Sequence, residues 1–215
     1  QSSAKNNQVA NALLNSAGWK IGADGIRTKG KQRLQFELLL AGPGFQRIAE
    51  PYKNNLKKIG VQLDIKVVQI AEYEERLRNF KYDMIVASFM QSRSPGNEQR
   101  SLWGGEAAIM PGSRNYMGIK NPAIDELIDG IIKAKTRKDL IIHIHALDRI
   151  LTHQFYMVPH WYISYDRAVY WNKFSRPKIN PSQSSILNNL LQWWWWDDKK
   201  AQKLESAKSK GNTLQ

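Results

Sequence analysis

The chain has 215 residues, with 32 lysines and arginines against 19 aspartates and glutamates, and no cysteine. That length supports one large domain or two small ones, and the lack of cysteine excludes disulfides and thiolate metal ligands. The net charge of +13 suggests an anionic partner, but the basic residues are scattered along helix faces and tails, without the arginine block or aromatic motif of a dedicated nucleic-acid binder. No apolar run nears the ~20 residues that span a bilayer. The chain opens on QSSAKNN with no signal-peptide pattern, so any export signal is expected to have been removed or to lie outside this sequence.

In chain order, Val9, Ala10, Leu13, Leu14 and Ala17 form one face of a first helix, ended by Gly18. GADG at 22–25 reads as a turn, and residues 27–31 lead onward. Leu34, Phe36, Leu38 and Leu40 then alternate with Gln35, Glu37 and Leu39, the period of a strand with one buried face. Pro43-Gly44 breaks it. Phe45, Ile48, Ala49, Tyr52, Leu56 and Ile59 follow at helical spacing. Pro51 predicts a kink or a late helix start, and Gly60 sits where a helix C-terminus favours positive φ. Val61, Leu63, Ile65 and Val67 resume the alternation. Strand, crossover helix and strand make a parallel pair, around which the rest is expected to pack.

After Val68, a short helix around Tyr73, Leu77 and Phe80 precedes a third strand, 82–89. Its run Met84-Ile85-Val86-Ala87 is apolar on both sides, as in a strand covered on both faces. Residues 91–120 carry five glycines and two prolines without sustained periodicity. A loop of that length is functional or disordered, and its interleaved Trp, Met and Tyr argue against disorder. Asn121-Pro122 opens a helix with Ile124, Leu127, Ile128 and Ile131 as its buried face. Thr136, with Asp139 in the capping-box position, opens another, striped by Leu140, Ile144, Leu147 and Leu151. Residues 155–170 are aromatic and β-prone, with Pro159 marking a strand edge or bend. Beyond Lys173 come Pro177, Pro181, a Ser/Asn-rich stretch, four consecutive tryptophans (193–196) and a charged, helical tail. Neither a helix nor a strand can bury all four tryptophans on one face.

The histidines do not make a metal site. His143 and His145 are two apart on a predicted helix and face different ways, whereas ligand pairs sit at i,i+4; His153 and His160 have no carboxylate pattern nearby. Ser88 and Ser92 lack a GxSxG context, and AGPGF has the wrong spacing for a phosphate loop. The stretch FMQSRSPGNEQRSLWGG (89–105) remains. It follows the C-terminal end of a predicted buried strand, where open α/β sheets present ligand sites. It offers an aromatic face, side-chain amides, the Glu98 carboxylate and two guanidiniums. A peptide-like ligand site and a surface loop held by internal salt bridges are both open readings.

The segments ALLNSAGW (12–19), DGIRTKGK (24–31), NNLKKIGVQLDI (54–65), EYEERLRNFKYDM (72–84), NPAIDELI (121–128), ALDRIL (146–151) and YMVPHWY (156–162) carry a resemblance in their order and spacing. Together they resemble the C-terminal lobe of extracellular solute-binding protein family 5, the periplasmic oligopeptide- and dipeptide-binding proteins of ABC importers. PGNEQRSLWG, PGSRNYMGIKNPAID, YWNKFSRP and the late tryptophans resemble most closely the branch linked with microcin C-type peptide uptake.

The resemblance implies an α/β fold, a mixed sheet with flanking helices, as one lobe of a two-lobed periplasmic binding protein (type II, cluster C-like). Residues 1–165 would form the peptide-binding lobe and 166–215 a tail returning toward an N-terminal lobe, making this chain a fragment or truncated product. It implies capture rather than catalysis and no cofactor. The expected partners are a peptide ligand and ABC transporter permease subunits in the periplasm, not nucleic acid. The expected ligand-binding residues are Phe89, Gln91, Arg93, Asn97, Glu98, Trp103, Arg114 and Asn115. In dipeptide and oligopeptide binders of this family, an Asp shortly after the third strand's aromatic receives the ligand's α-ammonium. Here 89–93 reads FMQSR, and Glu98 is the nearest carboxylate for that role. Two other readings stay open: a hydrolase-type enzyme using Glu98 and Glu106, and a basic nucleic-acid-associated domain.

Overall fold

The computed structural model describes residues 3–92, 94–163, 165, 167–178 and 193–211. The chain divides into two compact units, Gln1–Gln91 with Pro95–Tyr156, and Ser92–Ser94 with Met157–Gln215.

The first unit opens with helix α1 (Ser3–Ser16) and a small antiparallel meander of β1 (Lys20–Ile21), β2 (Arg27–Lys29) and β3 (Gln32–Arg33). The apolar face of α1 is only partly covered: Ala10 and Leu14 are half-buried, while Val9 and Leu13 are 50% and 63% exposed. Arg27 does the opposite. It is 1% exposed, and its guanidinium donates to the side chains of Asn11 (2.7 Å) and Asn15 (2.7 Å) and to the carbonyls of Trp19 (2.6 Å) and Ile59 (2.7 Å).

The expected strand–helix–strand unit is present as β4 (Gln35–Ala41), α2 (Gln46–Lys57) and β5 (Gln62–Val68). β4 and β5 pair in parallel from Gln35↔Gln62 to Ala41↔Val68. Gly60 takes φ 79, as its place after the helix requires. A late start at Pro51 is corrected: α2 begins at Gln46 and runs through the proline. An interior proline costs about 3 kcal/mol. Phe45, Tyr52 and Leu56 pack beside Ala49 against Leu38, Leu40 and Leu63, and at about 1.5–3 kcal/mol per large side chain that burial offsets it. Simple alternation in β4 is also corrected. Leu38, Leu39 and Leu40 are all buried, while Phe36 is partly exposed, so β4 is covered on both faces at 38–40 rather than on one.

Helix α3 (Ile70–Arg78) ends before Phe80, which has φ 53 and lies outside it. The third strand, β6, spans Met84–Ile85 rather than 82–89 and pairs in parallel with Leu38 and Leu39 of β4. The Asp83 carboxylate takes the Glu37 N–H at 2.8 Å, replacing a ladder partner just before the strand.

The described residues of 91–120 include regular structure and are not a plain loop. They contain helix α4 (Glu98–Trp103) and a 3-10 turn, Glu106–Ile109. Leu102, Trp103 and Ile119 join a second core with Ile124, Ile128 and Ile131 of α5 (Pro122–Lys133) and Leu147 of α6 (Arg137–His153). Both expected caps are present. Asn121 accepts the Ala123 N–H at 3.0 Å; Thr136 accepts the Asp139 N–H at 3.1 Å and donates to its carboxylate at 2.6 Å. Gly130 lets α5 meet α6, since a Cβ there would overlap the His143 imidazole.

In the second unit, the described residues of 157–173 contain no strand, which corrects the β-prone reading of 155–170. Aromatic and β-branched content marks a strand only when a face is covered, and Trp161, Tyr162, Ile163 and Tyr165 are exposed. β7 (Phe174–Ser175) and β8 (Trp195–Trp196) pair antiparallel. The charged tail is helix α7 (Asp198–Ser209), capped by Asp197 accepting the Lys200 N–H at 3.1 Å. Lys173 stands 4.9 Å from the Trp196 ring and Lys208 stands 4.1 Å from that of Trp171. Pro181 and the Ser/Asn-rich stretch lie outside the described residues.

Two outcomes follow. Arg27→Lys keeps the charge but not the fork that reaches four part-buried acceptors, and each hydrogen bond to a charged group contributes about 1.5–3 kcal/mol. Urea unfolding is expected to show a loss of at least about 3 kcal/mol, and a wild-type midpoint would contradict the assignment. Gly130→Ala is expected to destabilise the wild type, yet to stabilise the His143→Ala background by up to about 1 kcal/mol, the helix-propensity gain of alanine over glycine. The same sign in both backgrounds would rule out the steric account.

Candidate ligand-binding surface

Beyond β6 the chain reaches Phe89 and then α4. The Phe89 ring packs tilted on Trp103 (centroids 4.9 Å) and on Tyr116 (6.1 Å). The Arg114 guanidinium stands 6.0 Å from the Phe89 centroid and donates to the Ser88 carbonyl at 3.3 Å. Tyr82, just before β6, supports this group, its hydroxyl donating to the Tyr116 carbonyl at 2.9 Å. Burial first, then the neighbouring Tyr116 and Tyr73, push the Tyr82 phenol up to about 12.

Glu98 opens α4 and is exposed. Its Oε1 accepts the Gly96 N–H at 2.9 Å and the Gln99 amide at 3.2 Å; Oε2 accepts no hydrogen bond among the described residues. Burial works against the charge, but the N–H groups of Gly96 and of Glu98 itself and the Gln99 amide outweigh it. The carboxyl is therefore held below its ordinary value, and Glu98 is an anion at neutral pH.

Gln99, absent from the expected set, joins the surface together. It is 3% exposed. Its Nε2 donates to Gln91 Oε1 at 2.8 Å as well as to Glu98, and its Oε1 accepts the Trp103 indole N–H at 2.9 Å. The available signal was spacing: Gln99 and Trp103 are i,i+4, and a buried indole N–H seeks an acceptor.

Thus Phe89, Trp103 and Arg114 form one packed group, and Gln91, Glu98 and Trp103 meet through Gln99. Asn97 is exposed at the start of α4 and makes no side-chain capping bond. Asn115 is 0% exposed. It donates to the carbonyls of Gly104 and Ile119, each at 2.9 Å, and accepts the Ile119 N–H at 2.9 Å, so its amide protons are committed to the loop's own backbone. Arg93 lies outside the described residues. Arg100 is bound to Asp129 of α5 at 2.6 Å. Among the histidines, His143 and His153 contact the carbonyls of Asp139 and Arg149 on their own helix. Among the described residues, no group of three or more His, Asp or Glu could hold a metal ion.

A parallel strand–helix–strand centre with a polar, aromatic-floored surface beyond its strands defines an α/β lobe with a candidate ligand surface. Residues 1–110 match the bacterial extracellular solute-binding proteins, family 5 Middle, and the chain belongs to that family. An uncharacterized protein of Sinorhizobium fredii, y4wM, is 40% identical over 182 residues, 84% of this chain and 28% of that protein. The probable peptide-binding protein YejA of Agrobacterium fabrum is 37% identical over 170 residues, 79% of this chain and 28% of its own length. The chain thus spans about 28% of the length of these two relatives. The oligopeptide-binding protein AppA of Bacillus subtilis, solved with a nonapeptide, matches with a TM-score of 0.63 at 24% identity, over 69% of this chain and 30% of that one. That likeness is one of fold: a mixed α/β structure with flanking helices, resembling one lobe of a two-lobed periplasmic oligopeptide-binding protein.

The Tyr82 environment gives a pH test. A phenol raised above its ordinary value near 10 contributes stability that is complete below pH 10 and lost as pH rises toward 12. Ultraviolet titration is expected to show one tyrosine ionising about two units late, and Tyr82→Phe to abolish that step. A late step that survives in Tyr82→Phe would assign it elsewhere.

Proposed function

We propose that the chain is one lobe of the substrate-binding component of an ABC peptide importer, and that Phe89, Gln91, Asn97, Glu98, Trp103 and Arg114 form its wall of the ligand cleft. The observation that carries the reading is the exposed, ionised Glu98 held beside the Phe89–Trp103 floor in a chain of the solute-binding family. When a second lobe closes over the ligand, a peptide's α-ammonium leaves water and requires an anionic partner; Glu98 Oε2 supplies it. The closed protein then docks on permease subunits in the periplasm, and no bond of the ligand is broken. The named function of the Agrobacterium relative supports the peptide class. Within that class, the resemblance of PGNEQRSLWG and PGSRNYMGIKNPAID to the branch linked with microcin C-type uptake is what supports proposing such compounds as ligands.

In the two-lobed protein, Glu98→Gln keeps an acceptor for the Gly96 N–H while removing the charge. Calorimetry is expected to show a loss of about 3–5 kcal/mol in affinity for a free-amine peptide, the cost of breaking a buried charge pair. Unchanged affinity would remove Glu98 from the site. The isolated 215 residues supply a single wall and are expected to bind no tighter than about millimolar, equivalent to ~4 kcal/mol. Micromolar binding would make the second lobe dispensable.

A further inference from the structure

We infer that Gln99 is the positioning residue of this surface. Its buried amide presents Glu98 Oε2 as an acceptor and the Gln91 amide as a donor, a pair matched to the ammonium and first carbonyl of a peptide N-terminus. The inference rests on the proposed role of Glu98.

The Trp103 indole is buried beside Leu102 and Ile119, and its ring nitrogen can only donate. The Gln99 atom 2.9 Å from that nitrogen must therefore be the oxygen, which settles the orientation of an amide whose two ends look alike. The Gln99 nitrogen is then turned the other way, as a donor to both Gln91 (2.8 Å) and Glu98 (3.2 Å). Each partner must answer with an oxygen. For Gln91 this fixes the second amide in the chain and leaves its NH2 group for a ligand carbonyl. For Glu98 it engages Oε1, already bound to the Gly96 N–H, and leaves Oε2 for a ligand cation. A core indole thus sets, through one amide, which surface groups donate and which accept. Gln91 and Glu98 are seven positions apart, yet both oxygens are held by one nitrogen.

The test compares a free-amine peptide with its N-acetylated form in the two-lobed protein, measuring the ratio of the two affinities. Gln99→Met keeps length and removes every hydrogen bond. Gln99→Glu keeps the acceptor for Trp103 but sets a carboxylate against Glu98. Both are expected to lower the free-amine preference at least tenfold, as Glu98→Gln does, with no further loss when combined with Glu98→Gln. If Glu98→Gln leaves the preference intact, the reading of Glu98 fails and this inference falls with it. If Glu98→Gln abolishes the preference while both Gln99 variants keep it, weakening the two peptides alike, Gln99 is structural only and the inference alone is overturned. A measurement on the unaltered protein stands apart from whether the variants fold. The side-chain amide NMR signals of Gln91 and Gln99 are expected to shift with the free-amine peptide and much less with the acetylated one. Equal shifts, or none, would overturn the assignment.

Discussion

The guanidinium of Arg27 is the contact on which the first unit is hung. A cation taken out of water costs several kcal/mol unless it is well partnered, and among the described residues no carboxylate pairs with this one. Its partners are neutral oxygens: two asparagine side chains of α1 and the carbonyls of Trp19 and Ile59. Trp19 and Ile59 follow the C-terminal ends of α1 and α2, where the helix dipole favours a positive charge. Gly60 leaves room for it, since a Cβ would stand 2.8 Å from Arg27 Cγ. The backbone continues the tie. The Arg27 N–H donates to Gly60, the Arg27 carbonyl accepts from Leu34, and the Leu34 carbonyl accepts from Gln62. Arg27 therefore fixes where β4 and β5 begin, and with them the register of the sheet.

That register reaches the proposed ligand surface in short steps. β4 sets the place of β6 through two residue pairs, and Asp83 ends the ladder on Glu37. Tyr82, next to Asp83, fixes the Tyr116 backbone, and Tyr116 packs against Phe89 beside Trp103. Trp103 is the core end of the hydrogen-bonded chain that runs through Gln99 to Gln91 and Glu98. The polar groups of the surface are thus oriented by the hydrophobic cores, a requirement for a site that must hold its geometry before a ligand arrives.

The parts legible in the sequence are those with a repeating period or a local chemical signal. The βαβ centre, the stripe of α5 and the caps at Asn121 and Thr136 are of this kind. The meander was not legible, because strands of two or three residues carry no period. The role of Arg27 was not legible either, since nothing local tells that four acceptors from distant positions converge on it. The helix in 98–103 was hidden because six residues show less than two turns of pattern. In α1 the period marked the helix but not its burial: a stripe shows where apolar residues align, and Val9 and Leu13 remain open. At the surface, Phe89, Trp103 and Glu98 stood out by residue type. Gln99 did not, because its importance lies in partners eight positions before it and four after it.

On the proposed reading, the surface from Phe89 to Trp103 closes on a peptide's N-terminal end. Hydrogen exchange on the two-lobed protein, with and without a saturating free-amine peptide, tests it most directly. The account predicts added protection in residues 89–99, largest at Gly96 and Glu98, and little change at the Arg27 junction, which is already closed. Full peptide occupancy with unchanged exchange across 89–99 would contradict it.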